Sequence, residues 1–548
     1  MILTDSSHNK GRILNKKWFL YLTEFFSGMS VMAVELGASR LLAPYFSSSQ
    51  IVWTIIIGTI MIAMALGNYF GGKWADKDPD PDKLYKRLLI SAVWIAAIPC
   101  IGKLVIIGVT ALLVVTVDTG FLIWASFIAC SVLFVFPLFL LGTVTPSLAK
   151  YTTDSLDDNG KTIGTLSAFN TIGSIIGTFT PTFITIPAVG TAVTFLIFSG
   201  ILLALALGYF ISVKRCKVRI IICTVLFVGM CIASTSFGFA FWDKKVIHET
   251  ESVYNYIQIK DSDEERSLAT NVMFGVQSVA PKTSGLTGLY YDAALAAPLM
   301  AESGTKSRAL ILGMGTGTCA MQYRRYYPEM TVCGVEIDSK ITDLAHRYFG
   351  LSDDIEVIEY DGRAYLEALR AQRSKGEDTR YDIIMVDAFQ DITIPFQMSS
   401  KEFFTLVKES LAPNGVMAVN LNLPTEEKGG INDCLCETIL SVFSEVFCFD
   451  IVESSNVMLY ASDDSRMLTR FALSLKEIGD PELKELLESI SSITRCEGTG
   501  CRILTDDNAP VELLGMKTID RMISEELEYY KDIYRREGLG GLLDATDY

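Results

Sequence analysis

Seven apolar segments fill the first 242 residues, and they constrain this chain more than any other feature. They run near 18–40, 51–72, 88–117, 119–145, 162–187, 190–212 and 218–241. About twenty apolar residues cross a bilayer as a helix. Within lipid, only helices and closed barrels satisfy their own backbone groups. A multi-span α-helical membrane domain over 18–242 is therefore expected, behind a polar tail at 1–17. The tail is not read as a signal peptide, because the first apolar segment is too long and no cleavage pattern follows it. The third segment is over-long and carries Lys103 in its middle, which predicts a bend or break.

The cations between these segments fall on one side. Lys10 to Lys17, Lys73 to Arg87, Lys150 with Lys161, and Lys214 to Arg219 occupy alternate connections, and the others hold almost none. By the positive-inside rule those connections and the N-terminus are cytoplasmic. Glu24 and Glu35 lie eleven residues apart on the first segment, hence on one helical face. Two readings stay open for them. Either Glu24 lies near the interface and Glu35 pairs with Arg40, or the two carboxylates serve a cation-binding role. Gly72-Lys73-Trp74-Ala75-Asp76-Lys77 is similar to a loop of major-facilitator transporters. Gly160, Gly164, Gly173 and Gly177 recur at short spacing, as closely packed helices require.

Composition excludes some functions. The chain has 63 acidic and 47 basic residues among 548, a net charge of −16. Most of the acidic excess follows residue 242, so the protein lacks the basic surface that nucleic acid needs. Three histidines and twelve cysteines without a C-x-x-C pair predict no metal site. Unpaired cysteines are the plainer expectation, although Cys434-Leu435-Cys436 and the Cys496–Cys501 loop are spaced to pair in an oxidising compartment.

Residues 243–283 alternate apolar and polar and read as a small antiparallel β-sheet. A helix is expected near 285–301. Ala309 to Leu312 then reads as a buried strand, followed by Gly313-Met314-Gly315-Thr316-Gly317, a helix to Arg325, and a strand over Thr331–Val335 ending in Glu336-Ile337-Asp338. A strand, glycine turn, helix and strand closed by an acid is the pattern of nucleoside binding, with the acid meeting ribose hydroxyls. Further strands are expected at 355–360, 381–386, 415–420 and 457–461. Asp361-Gly362 and Asp387 follow two of these, so acids close three successive strands. Residues 284–515 thus read as an α/β Rossmann-like, methyltransferase-type doubly wound domain with its ligand beyond the strand C-termini. A C-terminal helix and tail fill 516–548.

These residues resemble the polyamine aminopropyltransferases (spermidine synthase-like proteins), in the variety fused to a multi-span membrane domain. The resemblance spans roughly 246–515 and rests on Ser252-Val253-Tyr254, Gln277, Glu336-Ile337-Asp338, Asp361-Gly362, Asp387 and Thr505 to Glu512. It implies transfer of an aminopropyl group from decarboxylated S-adenosylmethionine to a polyamine such as putrescine, without a metal. It makes Asp387 catalytic. Gly313, Gly315, Thr316, Gly317, Glu336, Asp338, Asp361, Gly362 and Gln277 would hold the donor, and Tyr254, Tyr291, Asp292, Gln390 and Asp391 the acceptor. The chain departs from the family at Thr316, where an aspartate usually meets the donor's amine, and at Tyr290-Tyr291-Asp292, the family's Tyr-His-Glu. The first departure leaves S-adenosylmethionine open as the donor. The alternatives are therefore a methyltransferase acting on an amine, and a polyamine transporter or sensor with a non-catalytic nucleoside-binding domain. The implied partners are a small polyamine and the lipid bilayer, with a homodimer left open. The expected location is the cell membrane. Seven crossings would put residues 243–548 outside, but a donor made in the cytoplasm favours a catalytic domain inside.

Overall fold

The computed structural model describes residues 17–46, 49–117, 120–152, 159–214, 216–236, 238–240, 243–271, 276–388, 394–421, 429–451, 456–490, 492–515 and scattered positions beyond 520. The chain divides into two compact units. One holds 1–243, 249–256 and 524–548, and the other holds 244–248 and 257–523.

The first unit is helical: α1 (Lys17–Phe46), α2 (Gln50–Lys77), α3 (Pro81–Thr116), α4 (Phe121–Cys130), α5 (Phe136–Gly142), α6 (Val144–Thr152), α7 (Asn159–Thr180), α8 (Ile186–Val213) and α9 (Lys217–Ser236). Among the described residues, six continuous helices are long and apolar enough to cross a membrane. One of them runs over 54 residues, roughly 80 Å of helix and far more than a bilayer's thickness. It breaks at Gly190, whose φ of 81° and ψ of 170° are not helical. The seven expected segments thus reappear as seven helical stretches.

Proline chemistry explains the irregular turns. Pro137 has no N–H for the carbonyl of Leu133, four residues back. A π-turn over Ser131–Val135 joins α4 to α5 there. The freed Leu133 carbonyl instead accepts from Trp94 Nε1 at 3.0 Å, and Ser91 donates to the Pro137 carbonyl at 3.1 Å. The break expected near Lys103 is absent, because α3 continues through it. The glycine series divides. A Cβ on Gly173 or Gly177 would come within 2.0 or 2.1 Å of the carbonyls of Phe25 and Met29 on α1, whereas Gly160 and Gly164 have nothing within 4 Å.

Residues 249–256 pack within this helical unit, so the expected boundary at 243 needs correction. The cause is polar. Glu251 accepts from the Thr191 backbone N–H and hydroxyl, and Glu249 accepts from the N–H groups of Phe239 and Ala240. Arg40, the partner expected for Glu35, donates to the carbonyls of Val253 and Tyr254. Lys531, in the C-terminal segment, donates to the Val117 carbonyl at 3.1 Å.

The second unit holds most of a four-stranded sheet in the order β1 (Val246–Glu251), β2 (Tyr256–Asp261), β3 (Glu265–Ala269), β4 (Ser278–Pro281), from which Glu249–Glu251 and Tyr256 are counted with the first. The helix expected over 285–301 is shorter and broken into α10 (Tyr290–Ala293), one 3₁₀ turn and α11 (Ala297–Met300). Gly285 and Gly288 hold positive φ just before it. The main sheet contains β5 (Arg308–Leu312), β6 (Thr331–Glu336), β7 (Glu356–Glu359), β8 (Tyr381–Val386), β9 (Leu411–Leu421), β10 (Glu445–Asp450), β11 (Val457–Ser462) and β12 (Thr494–Arg495). Its order is β12-β10-β11-β9-β8-β5-β6-β7. The five strands from β9 to β7 are parallel, as a doubly wound fold requires, and the strand expected at 457–461 is β11, which joins the unpredicted β10 and β12 in an antiparallel edge. Side chains alternate across the sheet. Ala309, Ile311 and Met385 enter one core, while Leu310, Leu312 and Ile384 enter the other. Helices α12 (Thr318–Tyr326), α13 (Ser339–Leu344), α14 (Gly362–Arg373), α15 (Lys401–Ser410) and α16 (Ile431–Leu440) cover the faces. The expectation of unpaired cysteines also needs correction, because Cys434 of α16 is joined to Cys501 by a disulfide.

Candidate active site

Register brings the candidate residues to one edge. Leu312 pairs with Val335 and Val386, Val386 with Val419, and Glu336 with Glu359. The next residues along four of the strands, Gly313, Glu336, Asp387 and Asn420, and Asp361 two beyond Glu359, therefore share the C-terminal rim, where doubly wound folds bind ligands. The rim is tightly drawn. A Cβ on Gly313 would stand 2.5 Å from the Asp387 carbonyl, and the residue's φ is +83°. Only glycine meets both conditions without strain.

The glycine turn and the second strand form one cradle. Glu336 Oε2 accepts from the Gly315 N–H at 2.9 Å, and Oε1 accepts from the Asp338 N–H at 3.0 Å. Burial pushes the Glu336 carboxyl up to about 7, against those backbone donors. Each carboxylate oxygen keeps a second lone pair for a ribose hydroxyl. Asp338 and Asp361 are helix N-caps, accepting from the Lys340 and Ala364 N–H groups. Gly362 opens α14, with the Met398 methyl 3.3 Å from where its Cβ would lie. Beside Gly362, Arg363 forms a two-pronged ion pair with Asp506, which also accepts from Ser400 at 2.6 Å. The guanidinium holds the Asp506 carboxyl below its usual range. The Thr505–Glu512 stretch thus braces the helix that presents Asp361.

Asp387 follows β8 and is half-buried. Its Oδ2 accepts from the Tyr290 hydroxyl at 2.6 Å and its Oδ1 from Asn420 Nδ2 at 2.9 Å. Asn456 in turn donates to Asn420 Oδ1 at 2.8 Å, fixing that amide's orientation. Burial pushes the Asp387 carboxyl up to about 7, although both hydrogen bonds favour the anion. Burial, together with the Asp387 charge, pushes the Tyr290 hydroxyl well above its usual range, so it stays a donor. A carboxylate poised near neutrality, with a fixed donor on each oxygen, is equipped to accept a proton.

The remaining predicted residues divide. Tyr291 is buried. Its hydroxyl donates to Ser278 at 3.4 Å and accepts from the Val279 N–H at 3.2 Å. Asp292 closes its own loop, accepting from the N–H groups of Thr287 and Gly288. Thr316 is fully buried, its hydroxyl 2.5 Å from that of Ser278. Gln277 precedes Ser278 at the start of β4. Gly317, with φ of +84°, closes the turn before α12. Tyr254 is exposed and belongs to the helical unit. Gln390 and Asp391 lie outside the described residues. The sequence reading missed Tyr290, Asn420 and Asn456. Tyr290 sits in the same motif as Tyr291, and the period of α10 alone does not tell which ring faces the rim. Asn420 carries a usable signal, as a polar residue at the end of an apolar strand.

A family profile described as the spermine/spermidine synthase domain matches residues 289–457. A probable polyamine aminopropyl transferase of Bifidobacterium longum is 46% identical over 360 residues, covering 63% of this chain and 78% of the relative. The chain belongs to the polyamine aminopropyltransferase family. It is a transferase. The polyamine aminopropyltransferase of Vibrio vulnificus is 28% identical over 305 residues, covering 53% of this chain and 97% of its own. A crystal structure of a probable spermidine synthase from Corynebacterium glutamicum aligns at 18% identity and a TM-score of 0.36, covering 47% of this chain and 95% of that one. The family profile spans β5 through β10 and so includes every rim residue named above.

Proposed function

We propose that this transferase is anchored in a membrane by its helical unit and moves an aminopropyl group from decarboxylated S-adenosylmethionine to a polyamine such as putrescine. The observation that carries the reading is Asp387, poised near neutrality between Tyr290 and Asn420 on the rim that also bears the Gly315–Glu336 cradle. The donor's adenosine fits that cradle through ribose hydroxyls on Glu336. A polyamine nitrogen is protonated at neutral pH and must first lose a proton. Its lone pair then attacks the methylene beside the donor's sulfonium. The carbon–sulfur bond breaks, its electron pair returns to sulfur, and a neutral thioether leaves without a general acid. Asp387 takes or relays the amine's proton, and Tyr290 and Asn420 keep its two oxygens aimed. As an anion Asp387 also favours the protonated amine, so the raised pKa matters: it weakens that grip while leaving a usable base.

One observation favours a second reading, methyl transfer from S-adenosylmethionine to an amine. The Thr316 hydroxyl is closed on Ser278, so the glycine turn offers no carboxylate to a donor amine. Calorimetry with each nucleoside separates the two. Binding of the decarboxylated donor supports aminopropyl transfer, and binding of the carboxylated form alone overturns it.

For sidedness, two observations favour the face opposite to that expected from the donor's source. Residues 249–256 meet the helical unit at Arg40, Thr191 and Phe239–Ala240, at helix ends remote from the cationic connections. The Cys434–Cys501 disulfide suits an oxidising compartment. We therefore place residues 257–523 outside the cytoplasm. Cys448, half-buried and with its thiol pKa lowered by a hydrogen bond from Cys496, is the probe. An impermeant maleimide labels it on intact cells under this placement, and labelling only after lysis contradicts it.

A further inference from the structure

Glu24 has no part in the chemistry above, yet it is fully buried in α1, 0% exposed. Its Oε1 accepts from the Thr145 hydroxyl of α6 at 2.6 Å and from Asn170 Nδ2 of α7 at 2.8 Å. Among the described residues its Oε2 has no hydrogen-bond partner, nor does the Ser27 hydroxyl one turn further along α1, itself 2% exposed. A buried carboxylate oxygen without a partner carries its full desolvation penalty, so its persistence calls for a ligand. The surrounding backbone is close-set: a Cβ on Gly28 would stand 2.6 Å from the Asn170 carbonyl, so α1 and α7 meet backbone to backbone beside Glu24.

We propose that Glu24, Ser27, Thr145 and Asn170 form a binding site for a small monovalent cation of sodium size. Hard cations take oxygen ligands, and each of these four side chains can present one. The two hydroxyls rotate freely, and the Asn170 amide can turn to exchange its oxygen for its nitrogen. Charge selects the valence. One carboxylate with three neutral ligands makes a neutral site with a monovalent ion, whereas a divalent ion leaves a buried net charge. Size favours a small ion, because α1 and α7 are in backbone contact beside the site. Bound there, the ion ties α6 and α7 to α1. This site does not rest on the reaction proposed for the α/β unit.

The test uses the full chain in detergent, with unfolding followed by tryptophan fluorescence. Sodium chloride is raised from zero to about 0.2 M while choline chloride holds ionic strength constant. The wild-type melting temperature should rise saturably by about 3–5 °C. Glu24→Gln should abolish the rise. Ser27→Ala, which removes one neutral ligand and is expected to fold, should shift its midpoint to at least about tenfold higher sodium. Equal melting temperatures in sodium and choline, or an undiminished response in both variants, overturn the proposal. A response to putrescine in place of sodium also overturns it. So does a wild-type stability that follows pH alone, since Glu24 is then a buried carboxylic acid.

Discussion

Asparagine at position 387 keeps the side chain's shape and removes its charge and basicity. Tyr290 can still donate to the remaining oxygen, and the Asn420 amide can turn to meet the new nitrogen. Positioned general bases contribute roughly 10²–10⁴ in rate. Asp387→Asn should therefore lower kcat by about that factor, while nucleoside affinity, made at Gly315 and Glu336, changes little. The pH profile supplies a second readout. With a pKa of about 7, about half of Asp387 is ionised at neutrality and about one-tenth a unit lower. Wild-type kcat/KM should then fall about fivefold from pH 7 to pH 6, a limb the variant lacks. Stability should move the other way. The folded-state pKa lies above the unfolded value, so ionisation is disfavoured in the fold. Stability is lost as pH rises from about 4 towards 7. A shift of about three units corresponds to at most about 4 kcal/mol. Asp387→Asn should accordingly melt higher than wild type above pH 7 and equal to it near pH 4. Stopped assays across pH, calorimetry for the nucleoside, and melting curves near pH 4 and above pH 7 read all four effects. A variant that keeps turnover, or that loses nucleoside binding, refutes the assignment of roles.

Three further outcomes follow from the same geometry. Glu336→Gln should weaken nucleoside binding by roughly 1–3 kcal/mol in calorimetry, the value of charge-assisted hydrogen bonds. Tyr290→Phe removes a donor that stabilises the Asp387 anion, so the acidic limb of kcat/KM should move to higher pH; Tyr291→Phe should leave that limb in place and lower the melting temperature. Gly313→Ala should lower stability by about 2 kcal/mol or more in denaturant titration, because a Cβ meets the Asp387 carbonyl at positive φ.

The legible parts of this protein were those with a strong local period. Apolar runs placed the seven helical stretches, and the acids closing successive strands placed Glu336, Asp361 and Asp387 on one rim. Local signals failed where distant residues decide. Pro137 lies inside a run that reads as one continuous segment, yet the helix passes it through a π-turn whose freed Leu133 carbonyl is met by Trp94 from another helix. Alternation in 246–256 reads as sheet, and Val246–Glu251 is a strand, but only the fold shows that Glu249 and Glu251 tie 249–256 to the helical unit. Tyr290 and Tyr291 are neighbours in one motif, and only the tertiary fold shows which hydroxyl reaches Asp387. Within the antiparallel edge β10 escaped notice because, with Phe447 and Phe449 among cysteine and charge, it lacks a clean alternation.

The central claim, aminopropyl transfer, is tested most directly by following the leaving group. The purified chain is incubated with decarboxylated S-adenosylmethionine and a mixture of polyamines, and the products are weighed by mass spectrometry. Release of 5′-methylthioadenosine, matched by a polyamine heavier by one aminopropyl unit and lost in Asp387→Asn, is the predicted result. Release of S-adenosylhomocysteine from S-adenosylmethionine, with a methylated amine and no reaction of the decarboxylated donor, contradicts it.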